Sequence, residues 1–299
     1  MLDCVVIGGG PAGLTAAIYL GRFRRQVMVI DSGDSRASWI PRSRNLPGFP
    51  EGVEGPVLLE RMRDQARLYG ANLRPGRAEN LTRGDDGVFS LDVDGQRVEA
   101  RTVILATGVR ENEPHIPHVV DAVKRGVIRI CPICDGFEAI DKRIGVLGNG
   151  DHAAAEALFL RTYTPHLTLL LVGESDDLSP ETHAKLADAG ICITHAPIES
   201  VGLENDHLTA LCTDDGQTHR FDAVYSAFGI TPQSALAKSV GAQLDASGRL
   251  YAGEHQETSV EGLYAAGDLV RGLNQISVAN GEAAIAATAI HNRLPRVPA

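Results

Sequence analysis

The chain of 299 residues is short of positive charge. Its 28 Lys and Arg stand against 38 Asp and Glu, a formal net charge of −10. A surface of that sign repels the phosphates of nucleic acids and of anionic membranes, so neither is expected as a partner. The chain also lacks any uncharged apolar run near the ~18 residues that a membrane span requires. Its opening, MLDCVVIGGG, has no basic stretch and is interrupted by Asp3, so no secretory leader is expected and the location is read as cytoplasmic. Cysteine is scarce as well. Five in so long a chain cannot form a disulfide framework, and Cys4, Cys192 and Cys212, each alone in an apolar run, are read as small buried hydrophobes. Only Cys131 and Cys134 are close in sequence, and no second CxxC or His-x-His cluster completes a zinc set, so no metal is expected.

Glycine is abundant, 32 of 299, and its placement carries the architecture. CVVIGGGPAGLTAAIYL reads as an apolar strand, a turn Gly8-x-Gly10-x-x-Gly13 and a helix, and QVMVID follows as a second strand ending in Asp31. A loop over 32–56 leads to a helix that opens on Pro56 and stops at Gly70, with Leu58, Leu59, Met62, Ala66 and Tyr69 on one face. Residues 87–107 alternate with period two around Asp94-Gly95, a hairpin signal. KRIGVLGNGDHAAAEALFLRTY then repeats the first plan, with Gly148-x-Gly150-x-x-Ala153 between strand and helix, and LTLLLV is its next strand. A further helix runs from Ser179-Pro180 to Gly190. After 241 an AAGD segment and a long alanine-rich helix have no place in the second unit. The pattern predicts an α/β protein of two Rossmann-like dinucleotide-binding domains, the second (113–241) inserted into the first (1–112 with 242–299).

One GxGxxG is weak evidence; two, each after a strand and before a helix, are strong. The chemistry rests on backbone N–H groups at a helix start, which receive a pyrophosphate where glycine leaves room. Asp31 is then positioned to accept both hydroxyls of an adenosine ribose. In the second unit the residues after LTLLLV are GESDDLSPE, with no Lys or Arg to meet a 2′-phosphate. Glu174 there suits a free ribose, so NADPH is disfavoured and NADH is allowed, at a second nucleotide site built on Gly148, Gly150 and Glu174; a unit that binds nothing is the other reading. Cys131-Pro-Ile-Cys134 suits thiol-disulfide exchange, one sulfur attacking a partner and the other resolving the mixed disulfide. Asp135 directly after it can move the proton that a leaving thiolate needs.

In this order, GGGPAG at the start, Asn45 before PGFP, Ala106-Thr107-Gly108, CPICDG, AAGD at 265–268 and Asn274-Gln275-Ile276 make the chain resemble the low-molecular-weight thioredoxin reductases, which are FAD-dependent disulfide oxidoreductases. The resemblance covers essentially the whole sequence. It implies that Gly8, Gly10, Pro11, Ala12, Gly13 and Asp31 hold the FAD adenosine and pyrophosphate, that Asp268 bonds the ribityl chain, and that Asn45, Ala106, Thr107, Gly108, Gly267, Gln275 and Ile276 complete the flavin site. It implies that Cys134 faces the flavin while Cys131 attacks the substrate, a thioredoxin-like protein or a small dithiol or disulfide, in a homodimer. The sequence departs from the family in three places. The basic nucleotide-gripping run is absent, RASWIPRSR with the single Trp39 replaces a glycine-rich stretch, and Pro-Ile separates the cysteines. Trp39 is either a ring-stacking residue or a loop anchor. Without NADPH, a ferredoxin or another donor supplies electrons; the alternatives are a flavin-dependent dithiol oxidase using oxygen, and a non-catalytic flavin redox sensor.

Overall fold

The computed structural model describes residues 1–112, 119–172, 177–196, 202–204, 207–212 and 218–296. β1 (Leu2–Ile7) ends at Gly8, whose φ of +121° favours glycine and where a Cβ would stand 2.2 Å from the Ala106 carbonyl oxygen. α1 (Pro11–Arg22) starts on proline, which loses nothing by lacking an N–H in a first helical turn. β2 (Val27–Asp31), α2 (Gly55–Leu68) and β3 (Asn72–Pro75) follow, the three strands parallel in the order β3-β2-β1. β4 (Ala78–Arg83), β5 (Phe89–Val93) and β6 (Gln96–Leu105) form the antiparallel layer, turning at Asp94-Gly95 with positive φ at both. β6 serves two roles: its residues pair antiparallel with β5, and its later half runs parallel to β1.

β7 (Val109–Glu111) leads to α3 (Val119–Lys124), β8 (Ile128–Arg129) and α4 (Pro132–Asp135), the short helix that carries the cysteines. Then come β9 (Ile144–Gly148), α5 (Gly150–Leu160), β10 (Leu167–Val172), α6 (Pro180–Asp188) and β11 (Cys192–Ala196). β12 (Gly202–Glu204), β13 (His207–Cys212) and β14 (Thr218–Arg220) make an antiparallel flap. β15 (Ala223–Ala227) completes an all-parallel sheet of order β11-β10-β9-β15-β8. β16 (Ile230–Pro232) pairs antiparallel with β7 as the chain returns. α7 (Ala235–Ser239) and β17 (Leu263–Ala265) follow, β17 lying parallel to β6, and α8 (Ile276–Arg293) closes the chain.

The parallel part of the first sheet (β3-β2-β1-β6 with β17) and the all-parallel second sheet have the form expected of Rossmann-like units, while β5 and β4 extend the first sheet as an antiparallel edge. Alanines make the helix packing close: Ala12, Ala16 and Ala17 of α1 meet Ala279, Ala283, Ala286 and Ala287 of α8 in one buried cluster. Arg25, itself buried, donates to the carbonyls of His291, Leu294 and Pro295 and so ends α8. A separate cluster under the second sheet is built from Val146, Leu169, Leu171 and Tyr225 with Ala153, Ala154 and Ala157 of α5. Among the described residues no helix is long and apolar enough to cross a membrane. Of the lone cysteines, Cys4 is fully buried and its thiol is pushed up to about 12 by burial. Cys192 is exposed, against expectation, because β11 is the edge strand of its sheet. The Cys212 side chain lies outside the described residues.

Candidate active site

One cavity of about 750 Å³ runs from the first glycine-rich turn to the cysteines, a size suited to a large cofactor. Gly8, Gly10, Pro11, Ala12, Asp31, Asn45, Ala106, Thr107, Gly108, Gly267, Asp268, Gln275 and Ile276 line it, together with Cys131, Cys134 and Asp135. Gly13 stands behind the wall, where a Cβ would come within 1.9 Å of the Gly8 carbonyl oxygen. Gly148 and Gly150 are not part of this cavity, and Glu174 lies outside the described residues.

The wall has the chemistry of an anion and ribose site. α1 begins at Gly10 with no side-chain cap and no acid in its first turn, so its positive end is open to a phosphate. A Cβ on Gly10 would meet only Ser35 Oγ, at 3.1 Å, whereas one on Gly9 would overlap the Asp31 carboxylate at 2.0 Å. Asp31 Oδ1 accepts the Gly33 N–H, and Oδ2 faces Arg63 at 3.3 Å. At the opposite end α8 begins at Gln275, again with no cap and no acid in the first turn. Gly267, at φ +82°, lets the AAGD turn approach Ala12 and donates its N–H to Glu282. These residues fit FAD: two open helix starts, a carboxylate for a ribose, and a cavity joining them to a disulfide.

Cys131 and Cys134 are joined in that disulfide, their Cα atoms 5.3 Å apart across α4. The Gln275 amide sits on it, Nε2 lying 3.6 Å from Cys131 Sγ and 3.5 Å from Cys134 Sγ. Asn45 orients the amide by donating to Gln275 Oε1 at 2.8 Å, and Ser43 Oγ donates to Asn45. Asp135 is half-buried; burial raises its carboxyl above the ordinary range, while Arg129 and the Tyr225 hydroxyl pull it down.

Several charged residues of the site escape a reading of the sequence. Arg36 forms an ion pair with Glu111 and a second, at 3.3 Å, with Asp268. Burial raises both carboxyls, and Arg36 opposes it. The only signal was the replacement of a glycine-rich stretch by RASWIPRSR. Arg129 and Tyr225, beside Asp135, had a fainter one: a lone cation in the apolar run VIRI. Trp39 packs, partly buried, against the cluster of Ala122, Val123, Val127 and Ile128, which makes it a loop anchor that also borders the cavity.

The second glycine-rich turn shares the packing of the first and differs in its charge. Gly148 admits Ala227 and Ala153, the latter 2.9 Å from a notional Cβ, as Gly8 admits Ala106. Asn149 Oδ1 accepts the Val172 N–H. Asp151, in the first turn of α5, takes the Ser179 N–H at 3.3 Å; bonds from Thr182 and Ser179 hold its carboxyl below the usual range, so it is ionised.

The pyridine nucleotide-disulphide oxidoreductase family matches residues 2–283. The chain is 31% identical over 286 residues to NADPH-dependent thioredoxin reductase 3 of Arabidopsis thaliana, covering 89% of this chain and 53% of that protein. It is 33% identical over 297 residues to the bifunctional thioredoxin reductase/thioredoxin of Mycobacterium leprae, covering 95% and 64%. The chain thus spans less than two thirds of the length of either relative. The solved thioredoxin reductase of Streptococcus pyogenes superposes with a TM-score of 0.87 at 25% identity, over 98% of this chain and 97% of that one.

Proposed function

Because the chain belongs to the pyridine nucleotide-disulphide oxidoreductase family, we propose that it is an FAD-dependent disulfide oxidoreductase of the thioredoxin reductase type, passing electrons between its flavin, the Cys131/Cys134 pair and an external thiol or disulfide. One observation carries the reading: the disulfide, the glycine-rich turn of α1 and the open start of α8 share a single cavity. Bound FAD supplies a carrier that takes up and gives back two electrons. On this reading Gly8, Gly10, Pro11, Ala12 and Gly13 present the start of α1 to the pyrophosphate, Asp31 accepts the ribose hydroxyls and Asp268 the ribityl chain. Asn45, Ala106, Thr107, Gly108, Gly267 and Ile276 complete the walls. Gln275, held by Asn45, orients the disulfide. Cys131 exchanges with the external sulfur, Cys134 stands on the flavin side, and Asp135 moves the proton.

On this reading the chain divides at 112/113 and 241/242; β7 and β16 pair antiparallel at the crossing, and α7, which follows β16, already packs against the first sheet through Ala237 and the Ser239 hydroxyl. NADPH is a poor donor on this reading. The stretch 173–181 contains no Lys or Arg, and Asp151 puts a full negative charge at the helix start where a nucleotide pyrophosphate would sit. NADH is disfavoured less, and a ferredoxin, another protein donor or an external dithiol supplies electrons otherwise. The thiol partner is a thioredoxin-like protein or a small disulfide, and Ile133 and Phe137, 47% and 72% exposed beside the cysteines, offer a protein partner an apolar surface. The working unit is a homodimer.

The test is an anaerobic titration of the purified yellow protein with NADPH, NADH and dithiothreitol in turn, followed by flavin bleaching. Reduction by the dithiol is expected; a protein that carries no flavin, or whose flavin no dithiol reduces, overturns the proposal. Admitting air to the reduced protein then distinguishes a dithiol oxidase, which reoxidises at the rate of turnover, from a reductase, which does not.

A further inference from the structure

Asp135 is held from two strands of the second sheet. Its main-chain carbonyl accepts Arg129 Nη1–H at 2.9 Å and lies 3.2 Å from the Tyr225 hydroxyl oxygen. Its carboxylate takes the Tyr225 hydroxyl on Oδ1 at 2.8 Å and faces Arg129 Nε from Oδ2 at 3.7 Å. Arg129 and Tyr225 are themselves register partners on β8 and β15, joined by an Arg129 Nη1–H bond to the Tyr225 oxygen at 3.1 Å. Tyr225 is fully buried, and the Arg129 side chain is 14% exposed. A guanidinium and a phenol are costly to bury on apolar strands unless their partners give something back. Among the described residues the hydrogen bonds and ion pair of both side chains run to Asp135 or to the other member of the pair.

Resting on the disulfide chemistry proposed above, we propose that Arg129 and Tyr225 are positioning residues: they fix the Cys131–Cys134 turn through the Asp135 carbonyl and set the proton affinity of the Asp135 carboxylate for delivery to the sulfur released when the disulfide opens. In the step concerned, one thiolate of an external dithiol attacks Cys131 Sγ. The Cys131–Cys134 bond breaks, a mixed disulfide forms, and the Cys134 thiolate takes the proton from Asp135. The second thiol of the reductant then attacks the mixed disulfide and releases Cys131. Two electrons pass from the dithiol, which closes to its own disulfide, to the protein, which gains two thiols; the two protons of the reductant replace the one Asp135 gave and protonate Cys131.

The groups facing Asp135 act in opposed directions. Burial and Glu138, in the turn after α4, favour the protonated acid; Arg129 from β8 and Tyr225 from β15 favour the carboxylate. Glu138 is partly neutralised by Arg44 of the N-terminal loop, 3.4 Å away. Removing the cation or the hydroxyl therefore strengthens proton binding. The pair sets an acid that is protonated often enough to give a proton and acidic enough to give it readily.

The experiment titrates the Asp135 carboxyl in the oxidised holoenzyme, from the infrared C=O stretch of the protein minus that of Asp135→Asn, and in parallel measures the pH profile of disulfide reduction by dithiothreitol. In Arg129→Met the midpoint is expected to rise by about one pH unit, a tenfold gain in proton affinity, and the alkaline limb of the rate profile should move with it. Tyr225→Phe should move both by less in the same direction, and Arg129→Lys should restore most of the midpoint. Should Arg129→Met fail to fold, Tyr225→Phe and Arg129→Lys carry the test. Midpoints unchanged in folded, flavin-loaded variants overturn the proposal and leave the Cys131/Cys134 chemistry standing. If Asp135→Asn instead keeps the native rate and pH profile, the proton role assigned to Asp135 falls, and the function of the pair with it.

Discussion

At the first glycine-rich turn the start of α1 carries neither a side-chain cap nor an acid, whereas at the second Asp151 stands in the first turn of α5 and gives its carboxylate to the Ser179 N–H. The backbone plan is shared: strand, turn, helix, parallel strand. What differs is the charge at the helix start, since the glycines match: Gly8 and Gly148 each admit a neighbouring strand, at Ala106 and Ala227, and neither Gly10 nor Gly150 is hemmed in by backbone. A glycine spacing thus specifies how a strand meets a helix. The ligand is specified by the few side chains around that junction.

The contrast can be broken most decisively at the glycines. Gly10→Leu projects a side chain into the cavity and is expected to give colourless protein, while Gly150→Ala, at a φ of +61°, is expected to cost about 1 kcal/mol of stability and keep its full yellow absorbance. Absorption spectra of the two purified variants check it, and a yellow Gly10→Leu would remove the assigned flavin site. Next in size is the asymmetry of the cysteines. Cys131→Ser leaves Cys134 as a free thiolate beside oxidised flavin and is expected to develop a long-wavelength absorption band that Cys134→Ser lacks; equal spectra would reverse or erase the two roles.

The nucleotides come third. Each charge-assisted contact to a phosphate is worth ~1.5–3 kcal/mol, so the lack of two should weaken NADPH binding about a hundredfold or more relative to a basic site. Stopped-flow flavin reduction decides it, and fast saturable reduction by micromolar NADPH, with NADH much slower, would contradict the reading of the second unit. The smallest effect sharpens the same point: Asp151→Asn removes one exposed negative charge at the start of α5 and should tighten NADH binding by a few-fold, as read by calorimetry, because an anion at a helix N-terminus competes with a bound phosphate for the same backbone N–H groups. No change would mean that Asp151 does not govern that site.

The parts of the molecule legible in the sequence are those written locally. Strand, turn and helix at 2–22 and at 144–160 are periodic over a dozen residues, and the Asp94-Gly95 hairpin and the Ser179 cap need only their neighbours. The long-range charge partners are not local. Arg36 meets Glu111 and Asp268, and Arg129 meets Tyr225, across sequence distances that no periodicity spans. Cys192 was misread for a related reason, since an apolar run says strand and does not say edge.

The pairing of β17 with β6 has a consequence for the order in which the protein is made. Val103 meets Leu263, and the alanine face of α1 meets that of α8, only after every strand of the second sheet has been synthesised. The first sheet must wait, with the later half of β6 unpaired on one side and the alanine face of α1 uncovered, while the parallel strands β8 to β15 gather. Contacts between residues so far apart in sequence form slowly. A nascent chain that has emerged only as far as residue 240 therefore exposes a hydrophobic helix and an open strand, and holding that intermediate in solution is the task of chaperones until α8 arrives.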